Sequence, residues 1–280
     1  MKKLLLFLPI IQLTLISHAK DIDVILDGSL VITSLPEYSK LCDDVVDAMK
    51  KVHSGFKGDP GMVAQFGDSI TYSMAFWSPM SWDAPDKHLL SDDGLPKTPK
   101  NKRWLDTIKG ARNKGPKFAN YSGWKVGNLL NSIDEVIARD KPEVAIIMVG
   151  TNDISGGKVP NGYRKSLEQV LDKCIEAKCV PIVNTIPPRR GREGVVLQIN
   201  GVIRIMARDY KVPLVDYYKI ITTVRPDQSW DGTLISKDGV HPSGGKNNDY
   251  TFENLKNSGY ALRNWMNFLT YRQVYFRILD

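Results

Sequence analysis

Residues 144 to 150, VAIIMVG, form an unbroken apolar run ending in glycine. A strand with one face in water alternates polar and apolar side chains. A run that is apolar at every position needs cover on both faces, as a central strand of a parallel sheet has. The chain on either side fits this. MVAQF (62–66), KFANYS (117–122), VPIVNTI (180–186) and VPLVDYY (212–218) read as four further strands. Helical segments lie between them. Val126, Leu129, Leu130, Ile133, Val136 and Ile137 share one side of 124–140, and Leu167, Val170, Leu171, Cys174 and Ile175 share one side of 161–178. Residues 103–114, 193–210 and about 253–269 also read as helices. Repeated strand–helix units predict a parallel sheet sandwiched by helices. In such folds the active groups gather at the carboxyl ends of the strands.

The totals allow one large globular domain, or one domain with additions: 280 residues, 42% hydrophobic and 25% charged, without low complexity. Residues 1–19 have the pattern of a signal peptide. Lys2 and Lys3 precede an apolar stretch from Leu4 to Ile16, and Ser17-His18-Ala19 offers small residues for cleavage. Pro9 and Gln12 interrupt that stretch, which is short for a membrane span. The alternatives are a retained anchor or a buried helix; the export reading predicts a secreted or periplasmic protein with no stable membrane insertion after cleavage. Residues 20–59 read as an N-terminal extension, a hairpin at 21–34 around Asp27-Gly28 and a helix from about Pro36 to His53. Gly55, Gly58, Pro60 and Gly61 form a linker, so the main domain is placed at 60–280.

Cleavage after Ala19 removes two of the 38 Lys and Arg residues and leaves 36 against 31 acidic ones. No dense basic stripe with interleaved aromatics is present, so nucleic acid is not an expected partner. The three cysteines lack zinc-ligand spacing joined to histidines, and no metal or cofactor is expected. Export would permit a disulfide. Cys174 and Cys179 are either bridged or two small buried thiols, and Cys42 is expected to be free.

Four chemically suggestive stretches fall at one edge of the predicted sheet. Gly67-Asp68-Ser69 follows the first strand and Ser122-Gly123-Trp124 the second. Gly150-Thr151-Asn152-Asp153 follows the third, and SKDGVHPSGG, with Asp238 and His241, comes after the fifth. Each has an ordinary structural reading as a turn or a helix cap; their joint occurrence in order is what points to chemistry. A serine hydroxyl needs a base within hydrogen-bond reach, and imidazole suits because its pKa lies near working pH. After the leader the histidines are His53, His88 and His241, and His241 alone lies in a loop at the productive edge, three residues after a carboxylate. Asp238 could orient the ring and stabilise its protonated form. The backbone amides of Ser69 and Gly123 and the Asn152 side-chain amide are candidate donors to a tetrahedral oxyanion.

GDSI (67–70), NYSGW (120–124), GTND (150–153) and DGVHP (238–242) resemble the conserved blocks of the SGNH/GDSL hydrolase superfamily, over about residues 60 to 270. The resemblance implies a three-layer α/β/α sandwich with a five-stranded parallel sheet (flavodoxin-like), matching the five strands above. It implies Ser69, Asp238 and His241 as a catalytic triad, and Ser69, Gly123 and Asn152 as the oxyanion hole, with Gly127 a competing glycine. It also implies hydrolysis of esters, thioesters or amides without a metal. The SGW form of the second block looks like that of secreted carbohydrate esterases.

The connection 71–102 is long and carries Tyr72, Phe76, Trp77 and Trp82. Trp77, Trp82, Trp124 and Trp230 are candidate sugar-stacking residues, although aromatics in such a loop also serve to pack it onto the domain. The expected substrate is an acylated small molecule or polysaccharide carrying acetyl or another small acyl group. The alternatives are a lipase, lysophospholipase or thioesterase with the same triad, and a carbohydrate-binding protein without turnover.

Overall fold

The computed structural model describes residues 41–82, 85–88, 95–96 and 101–280. The segment read as a signal peptide and the hairpin at 21–34 lie outside the described residues. Among the described residues, four parallel strands run in the order β1 (Val63–Gly67), β2 (Val144–Met148), β3 (Val180–Asn184) and β4 (Leu214–Val215). Val63 pairs with Val144, Val144 with Val180, and Val183 with Leu214. Every residue of β1, β2 and β3 is buried, as an apolar run without alternation requires.

The stretch expected as a strand at 117–122 occupies the outer side of β1 but is reduced to one bridge. Gly67 donates to the Ala119 carbonyl at 3.1 Å, and Tyr121 donates to the Gly67 carbonyl at 3.3 Å. Ala119 is left-handed at φ 57°, which ends any extended run, and Pro116–Phe118 form a 3-10 turn. The Asn120 side chain takes over the missing ladder: its amide donates to the carbonyl of Gln65 at 2.8 Å, and its oxygen accepts from Gly115 N–H at 3.0 Å.

Helices α1 (Asp43–His53), α2 (Ser69–Tyr72), α3 (Lys102–Lys109), α4 (Val126–Asp140), α5 (Tyr163–Glu176), α6 (Glu193–Asp209), α7 (Tyr217–Val224), α8 (Phe252–Leu255) and α9 (Gly259–Val274) surround the sheet. In α4 the residues turned inward, Val126, Leu129, Ile133 and Val136, lie on the apolar side that the sequence marks. Helix α9 is different: every one of its residues is buried, including Arg263, Asn264, Asn267, Arg272 and Gln273. Most of their polar groups find partners, although Arg263 Nε does not. Asn267 and Asn184 exchange amide hydrogen bonds of 2.8 and 3.0 Å, and Asn264 accepts from Trp77 N–H at 2.8 Å.

Cys174 and Cys179 are buried free thiols, so the possible bridge is not formed; Cys42 is free and exposed. No helix among the described residues is long and apolar enough to cross a membrane.

One buried carboxylate joins α1 and α3 to the sheet. Glu143, immediately before β2, accepts from Gly61 N–H at 2.7 Å, lies 2.9 Å from His53 Nε2 and 3.4 Å from an Arg103 nitrogen, and is 1% exposed. Removing one member of such a group strands the others in low dielectric. Glu143→Ala is expected to lower unfolding free energy by about 3 kcal/mol or more in urea titrations; a change under about 1 kcal/mol would contradict this account of the junction.

Candidate active site

Strand β1 ends at Gly67 because only a bare backbone fits there. A Cβ on Gly67 would sit 2.1 Å from the Met148 carbonyl oxygen and 2.5 Å from Thr71 Oγ1. The chain then turns sharply into α2. Asp68 caps this helix by accepting from Ile70 N–H at 3.0 Å, and Ser69 is its first residue. Ser69 Oγ lies 2.8 Å from His241 Nε2.

The histidine is carried on a loop that orders itself. Asp238 Oδ1 accepts from Ser236 Oγ at 2.7 Å, Val240 N–H at 2.8 Å and His241 N–H at 3.0 Å. Its second oxygen, Oδ2, lies 2.6 Å from His241 Nδ1. Burial pushes the Asp238 carboxyl up, but the hydrogen bonds from Ser236, the two amides and the imidazole outweigh it and hold the group below the usual carboxylate range. Gly239 turns the loop at φ 72°, and its carbonyl accepts from Arg190 N–H at 2.8 Å. Arg190 in turn makes two 2.6 Å hydrogen bonds to Asp231, so the segment after β3 braces the histidine loop.

Gly123 lies in the turn between the 119–121 bridge and α4. Asn152 Nδ2 donates to the Trp124 carbonyl at 3.0 Å, which ties the third expected stretch to the second. A primary amide has two donors, so this bond leaves one N–H available. Asp153 accepts from Val126 N–H, the first amide of α4, at 3.2 Å to each carboxylate oxygen; burial raises its pKa. Its role is to anchor that helix.

The four tryptophans part company. Trp77 and Trp230 are 0% and 4% exposed, so the expectation that they line a substrate rim is corrected: both belong to the core. The Trp77 ring meets Tyr271 edge-on at 6.0 Å, and its backbone is held by Asn264. Trp82 is 49% exposed, and Trp124 is half-buried. A residue absent from the sequence reading joins them. Tyr121, 41% exposed, lies 5.1 Å from the ring of Tyr72 and 6.3 Å from that of Trp124. These three rings bridge the turn after Ser69 and the turn holding Gly123. Tyr121 stands two residues before Gly123, which is the signal that could have found it.

The parallel sheet, the sharp turn at Ser69 and the Ser69–His241–Asp238 line at the sheet edge together fit the SGNH/GDSL class of hydrolases. A sequence model of the GDSL-like lipase/acylhydrolase family matches residues 66–244, and the chain belongs to this family. It is a carboxylic ester hydrolase. Among solved structures, the chain is similar to a G-D-S-L family protein from Desulfitobacterium hafniense DCB-2, with 17% identity, a TM-score of 0.50, and 74% of this chain and 97% of that one covered. It is also similar to a carbohydrate esterase family 3 protein from Talaromyces cellulolyticus, at 21% identity and TM-score 0.47, covering 74% of this chain and 98% of that one. An acetyl xylan esterase is similar at 18% identity and TM-score 0.48, covering 67% of this chain and 94% of that one. At these identities the likeness concerns the fold alone. No curated protein sequence matches the chain.

Asp68 gives the site a measurable pH signature. Burial raises its carboxyl to about 6, against the pull of the Ile70 amide, Arg263 and His241. A carboxyl raised on folding contributes stability below its unfolded value, near 4, and that contribution is lost as pH rises through about 6. The stability difference between the wild type and Asp68→Asn should therefore shift in favour of the wild type by roughly 2–3 kcal/mol between pH 7 and pH 4. Urea unfolding at the two pH values checks this, and a constant difference would contradict it.

Proposed function

We propose that Ser69 is the nucleophile of this ester hydrolase, His241 its general base, and Asp238 the carboxylate that orients the ring. The observation that carries the proposal is the continuous line from Ser69 Oγ to His241 Nε2, 2.8 Å, and from His241 Nδ1 to Asp238 Oδ2, 2.6 Å. In the first step Oγ attacks the ester carbonyl carbon while His241 takes the hydroxyl proton. Asp238, kept ionised by its hydrogen bonds, stabilises the imidazolium. The Ser69 and Gly123 backbone amides and the free N–H of Asn152 receive the oxyanion. The carbon–oxygen bond to the alcohol then breaks, and the alcohol leaves with the proton from His241. Water attacks the acyl-serine, gives a proton to His241, and the acid departs as Ser69 recovers its hydrogen.

The substrate in this reading is a carbohydrate ester carrying acetyl or another small acyl group, met outside the cytoplasm. Two features support it. Tyr72, Tyr121 and Trp124 form a partly exposed ring cluster on the turn after Ser69 and the turn holding Gly123, and aromatic rings of this kind stack on the apolar faces of sugars. The leader-like N-terminal pattern would deliver the chain to where polysaccharides are found.

Turnover should be measured on acetylated oligosaccharides, short-chain and long-chain acyl esters, lysophospholipids and acyl thioesters, with Ser69→Ala alongside. The expected result is preference for acetylated sugars and a loss in kcat of roughly 10⁴-fold or more in the variant. Preference for long acyl chains, lysophospholipids or thioesters would replace the carbohydrate reading. Retained turnover in Ser69→Ala would overturn the nucleophile assignment.

A further inference from the structure

Helix α2 is a single turn and cannot hold itself. Apart from the Asp68 cap, its backbone is closed by Thr71 and Tyr72 N–H to the Asp68 carbonyl, at 3.0 and 2.8 Å, and by Ser73 N–H to the Ser69 carbonyl at 3.1 Å. The carbonyls of Ile70 and Thr71 lie at its carboxyl end, where the helix supplies no partner of its own. Both are met by basic side chains, the fully buried Arg263 and the partly buried Lys114. Arg263 Nη1 donates to the Ile70 carbonyl at 2.9 Å, and Arg263 Nη2 to Thr71 Oγ1 at 3.1 Å. Lys114 Nζ donates to the Thr71 carbonyl at 2.7 Å, to Gln65 Oε1 on β1 at 2.6 Å and to the Phe76 carbonyl at 3.0 Å. The Arg263 guanidinium sits 3.5 Å above the centre of the Phe76 ring, closing the turn that follows α2.

Placing these charges here is costly, because burying a cation demands compensation. Arg263 is fully buried, and among the described residues it makes no ion pair within 4 Å; nor does Lys114. Burial pushes the Arg263 pKa down to about 10, and burial together with Arg263 pushes Lys114 well down. A neutral amide could stitch a carbonyl at less cost. The planar fork of arginine does something an amide or an ammonium cannot: it holds a backbone oxygen and a hydroxyl oxygen at a fixed mutual angle. Those two oxygens belong to the residues one and two positions after Ser69.

We propose that Arg263 is a positioning residue for Ser69: its guanidinium fixes the carboxyl end of α2 so that Ser69 Oγ keeps its alignment with His241, with Lys114 securing the same turn from the β1 side. The inference rests on Ser69 being the nucleophile. Arg263 lies in α9, beyond residues 66–244 that match the family, so the family match assigns it no part. Helix α9 thereby belongs to the working site and is more than a lid on the core.

The test uses the full chain and reads two quantities, steady-state kinetics on a small acetyl ester and the rate of Ser69 phosphonylation by a fluorophosphonate. Arg263→Lys and Arg263→Ala are expected to lower kcat and the labelling rate together, by about tenfold or more, with KM within about threefold of wild type. Millimolar guanidinium should restore part of the loss in Arg263→Ala, and none in Arg263→Lys, where the space is filled. Folded variants with unchanged kcat and labelling rate, or a loss confined to KM, would overturn the proposal. If both variants fail to fold, Thr71→Val decides: it removes one acceptor and leaves the cation in place. A severalfold fall in kcat at constant KM supports the positioning role, and an unchanged kcat rejects it. Wild-type protein that does not label at Ser69 would instead refute the nucleophile assignment, so the two failures are distinguishable.

Discussion

The contact between Ser69 Oγ and His241 Nε2 joins residues 172 positions apart in the chain, and the rest of the structure can be read as the means of making it. A hydroxyl and an imidazole this distant in sequence meet reliably only if each is fixed to a rigid support. For Ser69 the support is β1, which stops at a glycine pressed against the Met148 carbonyl and turns at once into a helix. For His241 it is a loop folded around one carboxylate oxygen of Asp238, which gathers three donors. Arg190 holds that loop to the segment after β3, so the two halves of the pair are registered through the same sheet.

Burial does much of this work, and it is not purely apolar. Helix α9 carries charged and amide side chains into the centre of the molecule, where three of them reach a part of the site or its frame. Asn264 holds Trp77 N–H, Asn267 holds Asn184 at the end of β3, and Arg263 holds the turn after Ser69. Satisfied polar groups in low dielectric specify one arrangement more sharply than apolar contacts, which tolerate sliding. Asp68 shows the other side of the same physics. It caps helix α2 through one oxygen, while its second oxygen is buried without a partner, and its raised pKa follows from that burial.

The parts legible in the sequence were those governed by local pattern. The apolar runs of β1, β2 and β3 announced buried strands, and the helical spacing in 126–140 and 163–176 matched the faces that are buried. The meeting of Ser69, Asp238 and His241 was also foreseeable, because loops after parallel strands share an edge. What failed were features decided by partners far along the chain. Residues 117–122 have the composition of a strand, but the Asn120 side chain takes the bonds that a strand would make. Trp77 and Trp230 lie near the site in sequence, yet nearness says nothing of which way a ring turns, and both turn inward. Tyr121 went unnoticed inside that same expected strand. Arg263 carried a faint signal, a lone cation amid YALRNWMNFL, but its partners at Ile70 and Thr71 are nearly two hundred residues earlier.

The most direct test of the central claim is a crystal structure of the protein after reaction with an alkylphosphonate ester. Phosphorus is expected to be bonded to Ser69 Oγ. The phosphoryl oxygen should lie within hydrogen-bond distance of the Ser69 and Gly123 amides and of Asn152 Nδ2, with His241 still joined to Asp238. Phosphorus on another side chain, or on Ser69 with its oxygen directed away from those three donors, would contradict it.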